Sequence, residues 1–307
     1  RRAKVQWPAR FSAAGRRGGN TRYTVSLMEG WILLTGAGLF AAGLLIGTLA
    51  AMFGIGGGVL NVPIIYVLLT RLWGVPDHVA FKSALATSMF TMFFTQLSGG
   101  LGHCRRGNYI RGAVAWLAPG AVLGAAAGAS AAMWLSGGLL KQIFGGLLLF
   151  LAWRMARGRQ PDADRARPGM GGHAAALFGA GFLTGGLGAM LGVGGGVIVI
   201  PFLVVLLGHP FHRAVGTSSI LIIFTAAAAF IRFMLGAPPV HLPFSVGYVN
   251  WLAAAGLAPG SMLGALLGVR LVLRIDPAPL RKAFALLVAA AALKLLGAFQ
   301  ALAGLFG

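Results

Sequence analysis

Two glycine clusters are the residues of this chain best able to expose backbone amides to a ligand. Residues 54–63 read GIGGGVLNVP, and residues 192–201 read GVGGGVIVIP. Glycine accepts positive φ angles and lets a ligand approach the backbone closely, so each cluster can interrupt a helix. The helix that restarts beyond it presents unpaired N–H groups and the positive end of its dipole, both of which favour an anion. The glycines that we predict to bind an anion are Gly54, Gly56, Gly57, Gly58, Gly192, Gly194, Gly195 and Gly196. Close helix packing is the alternative role for these clusters.

Hydroxyl pairs follow each cluster at a similar distance along the chain. The pairs are Thr87 with Ser88 and Thr217 with Ser218, each within an apolar segment. A hydroxyl can donate to an oxyanion without adding charge, which suits weak and reversible binding. Serine and threonine in membrane helices also commonly bond to their own helix or to a neighbour. We include the four residues in the candidate site and leave both roles open.

Asn61 completes the candidate site, and the second cluster has Val199 at the matching position. This difference predicts an asymmetric site. No carboxylate lies in the middle of a predicted span, so a proton relay of the Asp/Glu type has no evident carrier. The lone Cys104 excludes a multi-cysteine metal site, and the chain has no GxSG serine motif of an intramembrane protease. We therefore predict no catalytic residue, no metal and no cofactor.

Three pairs of similar blocks occur in the same order and predict an internal repeat. Beside the glycine clusters, ALATS (84–88) matches AVGTS (214–218), and LAPGAVLG (117–124) matches LAPGSMLG (257–264). A repeat whose two copies each carry a helix-breaking cluster is typical of transporters. Glycines four residues apart in the longer stretches 119–128 and 259–268, which overlap the last pair of blocks, predict close packing between helices. They are Gly120, Gly124, Gly128, Gly260, Gly264 and Gly268.

Composition predicts that these elements are embedded in a membrane. The chain is 58% hydrophobic and 10% charged, and apolar runs of membrane-spanning length recur along it. Its net charge of +20 is concentrated at the ends of the apolar runs. Loops on the cytoplasmic side explain this charge better than nucleic acid does, so we expect a lipid bilayer and no nucleic acid as partner. The predicted class is an all-α polytopic membrane protein with two homologous repeats.

The predicted organisation places one repeat on each side of a polar linker. The four parts are a basic N-terminal tail (1–26), a first transmembrane repeat (27–156), a cytoplasmic linker (157–172) and a second transmembrane repeat (173–307). The stretch Val197–Leu207 reaches only about 16 Å as a helix, against a hydrocarbon core of about 30 Å. Each cluster therefore predicts either the tip of a re-entrant hairpin or a discontinuous crossing. Both give an odd number of crossings and inverted repeats, whereas the basic tail favours a parallel arrangement.

The paired glycine, threonine–serine and LAPG blocks resemble the TauE/SafE family of sulfite exporter-like membrane permeases, over most of the chain. The resemblance implies a multi-pass protein of the bacterial inner membrane that carries small sulfur-containing oxyanions such as sulfite or organosulfonates. Together with the repeat, it predicts a secondary transporter with alternating access around a midplane site. An anion channel and a non-transporting membrane assembly factor are the alternatives, and the sequence leaves the oligomeric state open.

Overall fold

The protein is almost entirely helical in the described part of the chain. The computed structural model describes residues 21–156, 174–271, 286, 288–293, 295 and 296, with the side chains of 21–33, 154–156, 205, 206, 211 and 212 excepted. The predicted linker 157–172 and the first twenty residues of the predicted tail lie outside these ranges. The described helices are α1 (Thr21–Phe53), α2 (Gly58–Val67), α3 (Asp77–Arg105), α4 (Arg111–Trp134), α5 (Gly137–Ala156), α6 (Ala174–Met190), α7 (Gly196–Pro201), α8 (Phe211–Met234) and α9 (Trp251–Leu271). Single π-helical turns, Leu68–Leu72 and Phe202–Leu206, extend α2 and α7, and a two-stranded ribbon, β1 (Ser245–Val246) and β2 (Val249–Asn250), precedes α9.

Four of the described helices are long and apolar enough to cross a membrane. They are Leu34–Phe53, Arg111–Trp134, Arg213–Met234 and Trp251–Leu271. Each of the four also exposes large apolar side chains on the surface of the bundle. A lipid bilayer accommodates such a surface. The predicted class, an all-α membrane protein, is confirmed.

The glycine clusters interrupt the helices, as their φ angles require. Between α1 and α2, φ is 66° at Gly54, 82° at Gly56 and 85° at Gly57. Between α6 and α7, φ lies between 69° and 81° at Gly192, Gly194 and Gly195. A side chain in this left-handed region costs about 1–2 kcal/mol per residue, so glycine is the residue that permits both turns.

The first interruption is the tip of a hairpin. Gly58, at the start of α2, lies beside Met92 in the middle of α3, whereas Tyr66 packs on Phe81 near the start of α3. Helix α2 is therefore antiparallel to α3. Helix α1 runs the other way: it is parallel to α9, with Leu39 against Gly256 and Thr48 against Gly268.

Helix α9 is in turn parallel to α3. Thr95 bonds to Ser261, and Gly102 lies against Val269 further along both helices. Since α1 is parallel to α3 and α2 is antiparallel to it, α1 enters and α2 returns toward the same end of the bundle. Of the two arrangements that the sequence left open, the structure has the hairpin.

The second interruption has the same construction around α8. Helix α4 is parallel to α8, because Ile110 bonds to Thr217 and Ser130 bonds to Arg232. Helix α6 is parallel to α4. Gly181 of α6 lies against Leu117 of α4, and further along both helices Gly186 lies against Gly128. Helix α7 starts beside Ile222 in the middle of α8 and returns to the start of α8 through a short connection.

Helices α3 and α8 cross at the centre of the bundle in opposite directions. Gly100 near the end of α3 lies against Ser219 near the start of α8, and Phe90 stacks edge-on against Phe230, with ring centroids 5.2 Å apart. Each hairpin tip therefore meets the middle of one of these two helices.

The glycines spaced by four form the predicted packing seams. A Cβ atom on each of the three spaced glycines of α4 would strike a carbonyl oxygen of α6, namely that of Phe178, Phe182 or Gly186. On the three spaced glycines of α9 it would strike that of Phe40, Leu44 or Thr48 in α1. Backbone-to-backbone contact of this kind leaves no room for a side chain. The prediction that these glycines pack helices together is confirmed.

Gly264→Leu should destabilise the protein through this seam, because the new side chain would force α9 away from α1. Overpacking typically costs about 1–3 kcal/mol. We expect a lower midpoint of thermal unfolding in detergent. Gly38→Leu in α1 is the control, since a Cβ there meets nothing within 4 Å. Equal midpoints for the two variants would contradict the assignment.

One predicted helix begins later than the sequence indicated. The apolar pattern predicts a helix over Ser245–Leu273, whereas the ribbon β1–β2 occupies the first residues and α9 begins at Trp251. Gly247, with φ 57°, makes the turn of the ribbon. Asn250 then caps α9, because its Oδ1 accepts the N–H of Ala253 at 2.9 Å.

Candidate functional site

The two interruptions pack directly against each other. Gly58 lies against the carbonyl oxygen of Gly192, and Gly196 lies against the carbonyl oxygen of Gly54. The contacts are reciprocal, so each half-helix starts beside the carbonyl of the first glycine in the other hairpin's turn. The structure thus brings the eight glycines selected from the sequence to one place.

Met92 and Ile222 lie between the two turns. A Cβ on Gly56 would meet Met92 Cε and Ile222 Cδ1, and a Cβ on Gly194 would meet the same two side chains. Because Met92 and Ile222 stand near the middle of α3 and α8, this contact region is at the centre of the bundle. All eight selected glycines are buried.

The serines link the two hairpins. Ser88 Oγ donates to the carbonyl oxygen of Gly192 at 3.0 Å, and Ser218 Oγ donates to the carbonyl oxygen of Gly54 at 3.0 Å. Each serine belongs to the long helix that follows one hairpin, α3 or α8, and bonds to the turn of the other hairpin. In this conformation both hydroxyl protons are used within the protein.

The threonines bond to a different feature. Each accepts the backbone N–H of the residue that precedes a helix in the other half of the chain. Thr87 Oγ1 accepts the N–H of Asn250 at 2.9 Å, just before α9. Thr217 Oγ1 accepts the N–H of Ile110 at 3.0 Å, just before α4, and donates to the carbonyl oxygen of Arg213. The threonines therefore hold α9 and α4 in place.

Backbone donors remain available at the start of each half-helix. The amides of residues 57–59 and of residues 195–197 form no hydrogen bond to another described residue. The amides of the following residues bond back to the Gly57 and Gly195 carbonyl oxygens, which begins the helical pattern. Orphan amides at a helix start carry the partial positive charge that attracts anions.

Asn61 supplies the strongest sign of a ligand. Its side chain is 0% exposed, and neither Nδ2 nor Oδ1 has a hydrogen-bond partner. Nδ2 lies 3.8 Å from the position that a Cβ on Gly57 would take, one turn from the orphan amides. A buried polar group without a partner costs about 1–3 kcal/mol, so such a group is retained where a ligand, an ion or an ordered water satisfies it.

Gln96 is a residue of the same kind that the sequence interpretation missed. It is 1% exposed, and both Nε2 and Oε1 lack a partner. Ser83 Oγ and Ser219 Oγ are also buried and unpaired. A glutamine within a predicted apolar span is itself an unusual polar residue, and that was the available signal.

The site offers hydrogen-bonding groups without formal charge. Among the described residues, the buried polar side chains include no lysine, arginine, aspartate or glutamate. No group of three or more potential metal ligands occurs in the described part of the chain. Neutral donors and helix dipoles are therefore what the centre of the bundle can offer an anion.

Hairpins that meet at the centre of a helical membrane bundle are an architecture of membrane transport proteins. Comparison with known proteins agrees with this class. The chain belongs to the sulfite exporter TauE/SafE family, whose sequence model matches residues 39–295. The resemblance noted in the sequence is confirmed, and the family is one of membrane transporters rather than a class of enzymes.

Several relatives are named as membrane transporters. A "probable membrane transporter protein" of Methanocaldococcus jannaschii is 28% identical over 254 residues, covering 79% of this chain and 88% of the relative. One of Haemophilus influenzae is 28% identical and covers 82% and 95%. The "probable inner membrane transporter protein TsaS" of Comamonas testosteroni is 32% identical over 189 residues, covering 59% and 72%. No solved structure gives a significant match. The protein is thus a multi-pass membrane protein of a transporter family.

Proposed function

We propose that the protein is a secondary transporter of small oxyanions, bound where the two hairpins meet. The observation that carries the proposal is the unpaired Asn61 carboxamide beside the orphan amides of residues 57–59. The family description makes sulfite the leading substrate, and the resemblance given in the sequence analysis adds organosulfonates. The name of the Comamonas relative favours the bacterial inner membrane as the location.

The proposed binding mode uses backbone donors for most of the contact. The N-terminus of α2 presents its amides and dipole to the anion, and Asn61 Nδ2 adds a side-chain donor. Glycine at 56, 57, 194 and 195 adds no side chain of its own to this region, where Met92, Ile222 and Ile46 already lie close.

We further propose that the units 27–156 and 173–307 are inverted repeats around this site. Three observations support it: the paired sequence blocks, the reciprocal glycine contacts and the opposite directions of α3 and α8. Inverted repeats allow access to alternate when one part rocks against the other around a fixed site. Such a motion must break or shift the hydrogen bonds from Ser88 to Gly192 and from Ser218 to Gly54.

A transport assay tests the function. Purified protein in liposomes loaded with unlabelled sulfite should take up labelled sulfite by counterflow, and uptake should saturate with concentration. Sulfate, thiosulfate and alkanesulfonates complete the panel. Flux without saturation or counterflow would indicate a channel. Neither binding nor flux for any oxyanion would overturn the proposal and favour an assembly factor.

Ser88→Ala separates the two roles that the sequence left open for the hydroxyls. Because Ser88 already donates to the Gly192 carbonyl, we expect the variant to lose about 1 kcal/mol of stability. The Kd for the transported anion should change by no more than about twofold. Thermal unfolding and titration calorimetry measure both quantities. A large loss of affinity at unchanged stability would assign Ser88 to the substrate instead.

A further inference from the structure

A second unpaired carboxamide, that of Gln96, lies near the centre of the bundle. Gln96 stands one helical turn beyond Met92 on α3, so it extends from the centre along the face that meets the hairpin tips. It is 1% exposed with no partner for either side-chain atom. Like the Asn61 side chain, the Gln96 side chain is a buried amide group without a partner, and a bound ligand can satisfy it.

Both carboxamides border the last turn of α1. A Cβ on Gly57, the neighbour of Asn61 Nδ2, would lie 3.3 Å from Ala50 Cβ. A Cβ on Gly99, which is 3.7 Å from Gln96 Oε1, would lie 3.7 Å from Ala51 Cβ. Ala50 and Ala51 are adjacent, so the last turn of α1 borders both carboxamides, and Ile46 one turn earlier also lies beside Gly57.

The corresponding positions in the second half are apolar. The paired blocks align Asn61 with Val199 and, continued along the helix, Gln96 with Ala226. Val199 packs in an apolar cluster with Leu203 and Leu221, and Ala226 belongs to the main apolar core. Both unpaired carboxamides therefore belong to the first half, and their counterparts in the second half offer no hydrogen-bonding side chain.

Carboxamides restrict the chemistry of that ligand. Each offers N–H donors and also a carbonyl oxygen, which needs a donor from the ligand. The buried polar side chains that the structure describes carry no lysine or arginine to balance a second negative charge. Burying an uncompensated charge is costly, and the cost rises steeply with charge.

We propose that Asn61 and Gln96 form a one-sided site that holds a single monoanion carrying its own O–H or N–H donor. The ligand's oxyanion group meets the α2 amides and the carboxamide N–H groups. Its O–H or N–H donates to Asn61 Oδ1 or Gln96 Oε1. This inference rests on the proposed function and narrows its substrate class.

Matched ligand pairs test the donor requirement. Hydrogencarbonate and nitrate are small planar monoanions with and without an O–H, and 2-hydroxyethanesulfonate and ethanesulfonate form a larger pair. In titration calorimetry of the full chain, the donor-bearing member of at least one pair should bind about tenfold more tightly. The stoichiometry should be one per chain. Equal affinities within both pairs, two sites per chain, or no binding by either donor-bearing anion would overturn the proposal.

Gln96→Met tests the assigned residue. The change replaces an unpaired polar group by an apolar one of similar shape, so thermal stability should be kept or raised. The preference for the donor-bearing ligand should fall to about twofold or less. Ser98→Ala, on the same helix but bonded to the Met262 carbonyl, should keep the preference. A Gln96→Met variant with an unchanged preference would remove Gln96 from the site.

The outcomes also separate this inference from the transporter proposal. Saturable counterflow of oxyanions without any donor preference would leave the transporter standing and overturn the one-sided site for a donor-bearing monoanion. Absence of both flux and binding would overturn both.

Discussion

Replacing Asn61 by leucine should abolish oxyanion binding while leaving the protein without ligand at least as stable as the wild type. Both amide atoms of Asn61 are buried without partners, so the folded state already bears their desolvation cost. A leucine of similar size removes that cost, about 1–3 kcal/mol, and removes the donor. Titration calorimetry should show at least a hundredfold loss of affinity, and the thermal midpoint should stay or rise.

Asn250 provides the matched control. It is equally buried, yet its amide caps α9 and donates to the carbonyl oxygen of Pro243 at 2.9 Å. Asn250→Leu should therefore lower the thermal midpoint, by the loss of a cap and further bonds. If Asn61→Leu behaves in the same way, Asn61 is structural and the binding site is wrongly assigned.

Gly57→Leu and Gly195→Leu should each abolish transport. A Cβ on Gly57 would meet Ile46 Cγ2 at 3.0 Å and would stand beside Asn61 Nδ2. A Cβ on Gly195 would meet the carbonyl oxygen of Thr184 at 2.6 Å. The rest of each leucine would then occupy the space next to the orphan amides. Initial rates of sulfite counterflow in liposomes measure the effect.

Gly74→Leu and Gly107→Leu control for backbone strain. Their φ angles are 63° and 64°, similar to those in the clusters, but a Cβ at either position meets nothing within 4 Å. They should therefore carry the same cost of about 1–2 kcal/mol and keep transport. Wild-type flux in Gly57→Leu and Gly195→Leu would refute the site. Loss of flux in the Gly74 and Gly107 variants as well would assign the effect to strain.

Local sequence was enough for the elements whose structure depends on local chemistry. The glycine clusters predicted the interruptions, because glycine adopts the φ angles found at Gly57 and Gly195 without the steric cost that other residues bear. Glycines at every fourth position predicted the seams, since that spacing lies on one helix face. The start of α9 was predicted too early, at Ser245. The cap at Asn250 that fixes its true start depends on bonds to Pro243 and Ser245, which the local sequence does not show.

Contacts between distant segments decided the rest. The amino-acid sequence by itself determined that this is a helical membrane protein of the TauE/SafE family with two glycine interruptions, because composition and local backbone preference are properties of short segments. The tertiary structure alone decided that the interruptions are hairpin tips, that Ser88 and Ser218 bond across them, and that Asn61 and Gln96 are left unpaired. Whether a buried polar group has a partner depends on which helices surround it, and that is settled only when residues far apart in the chain pack together.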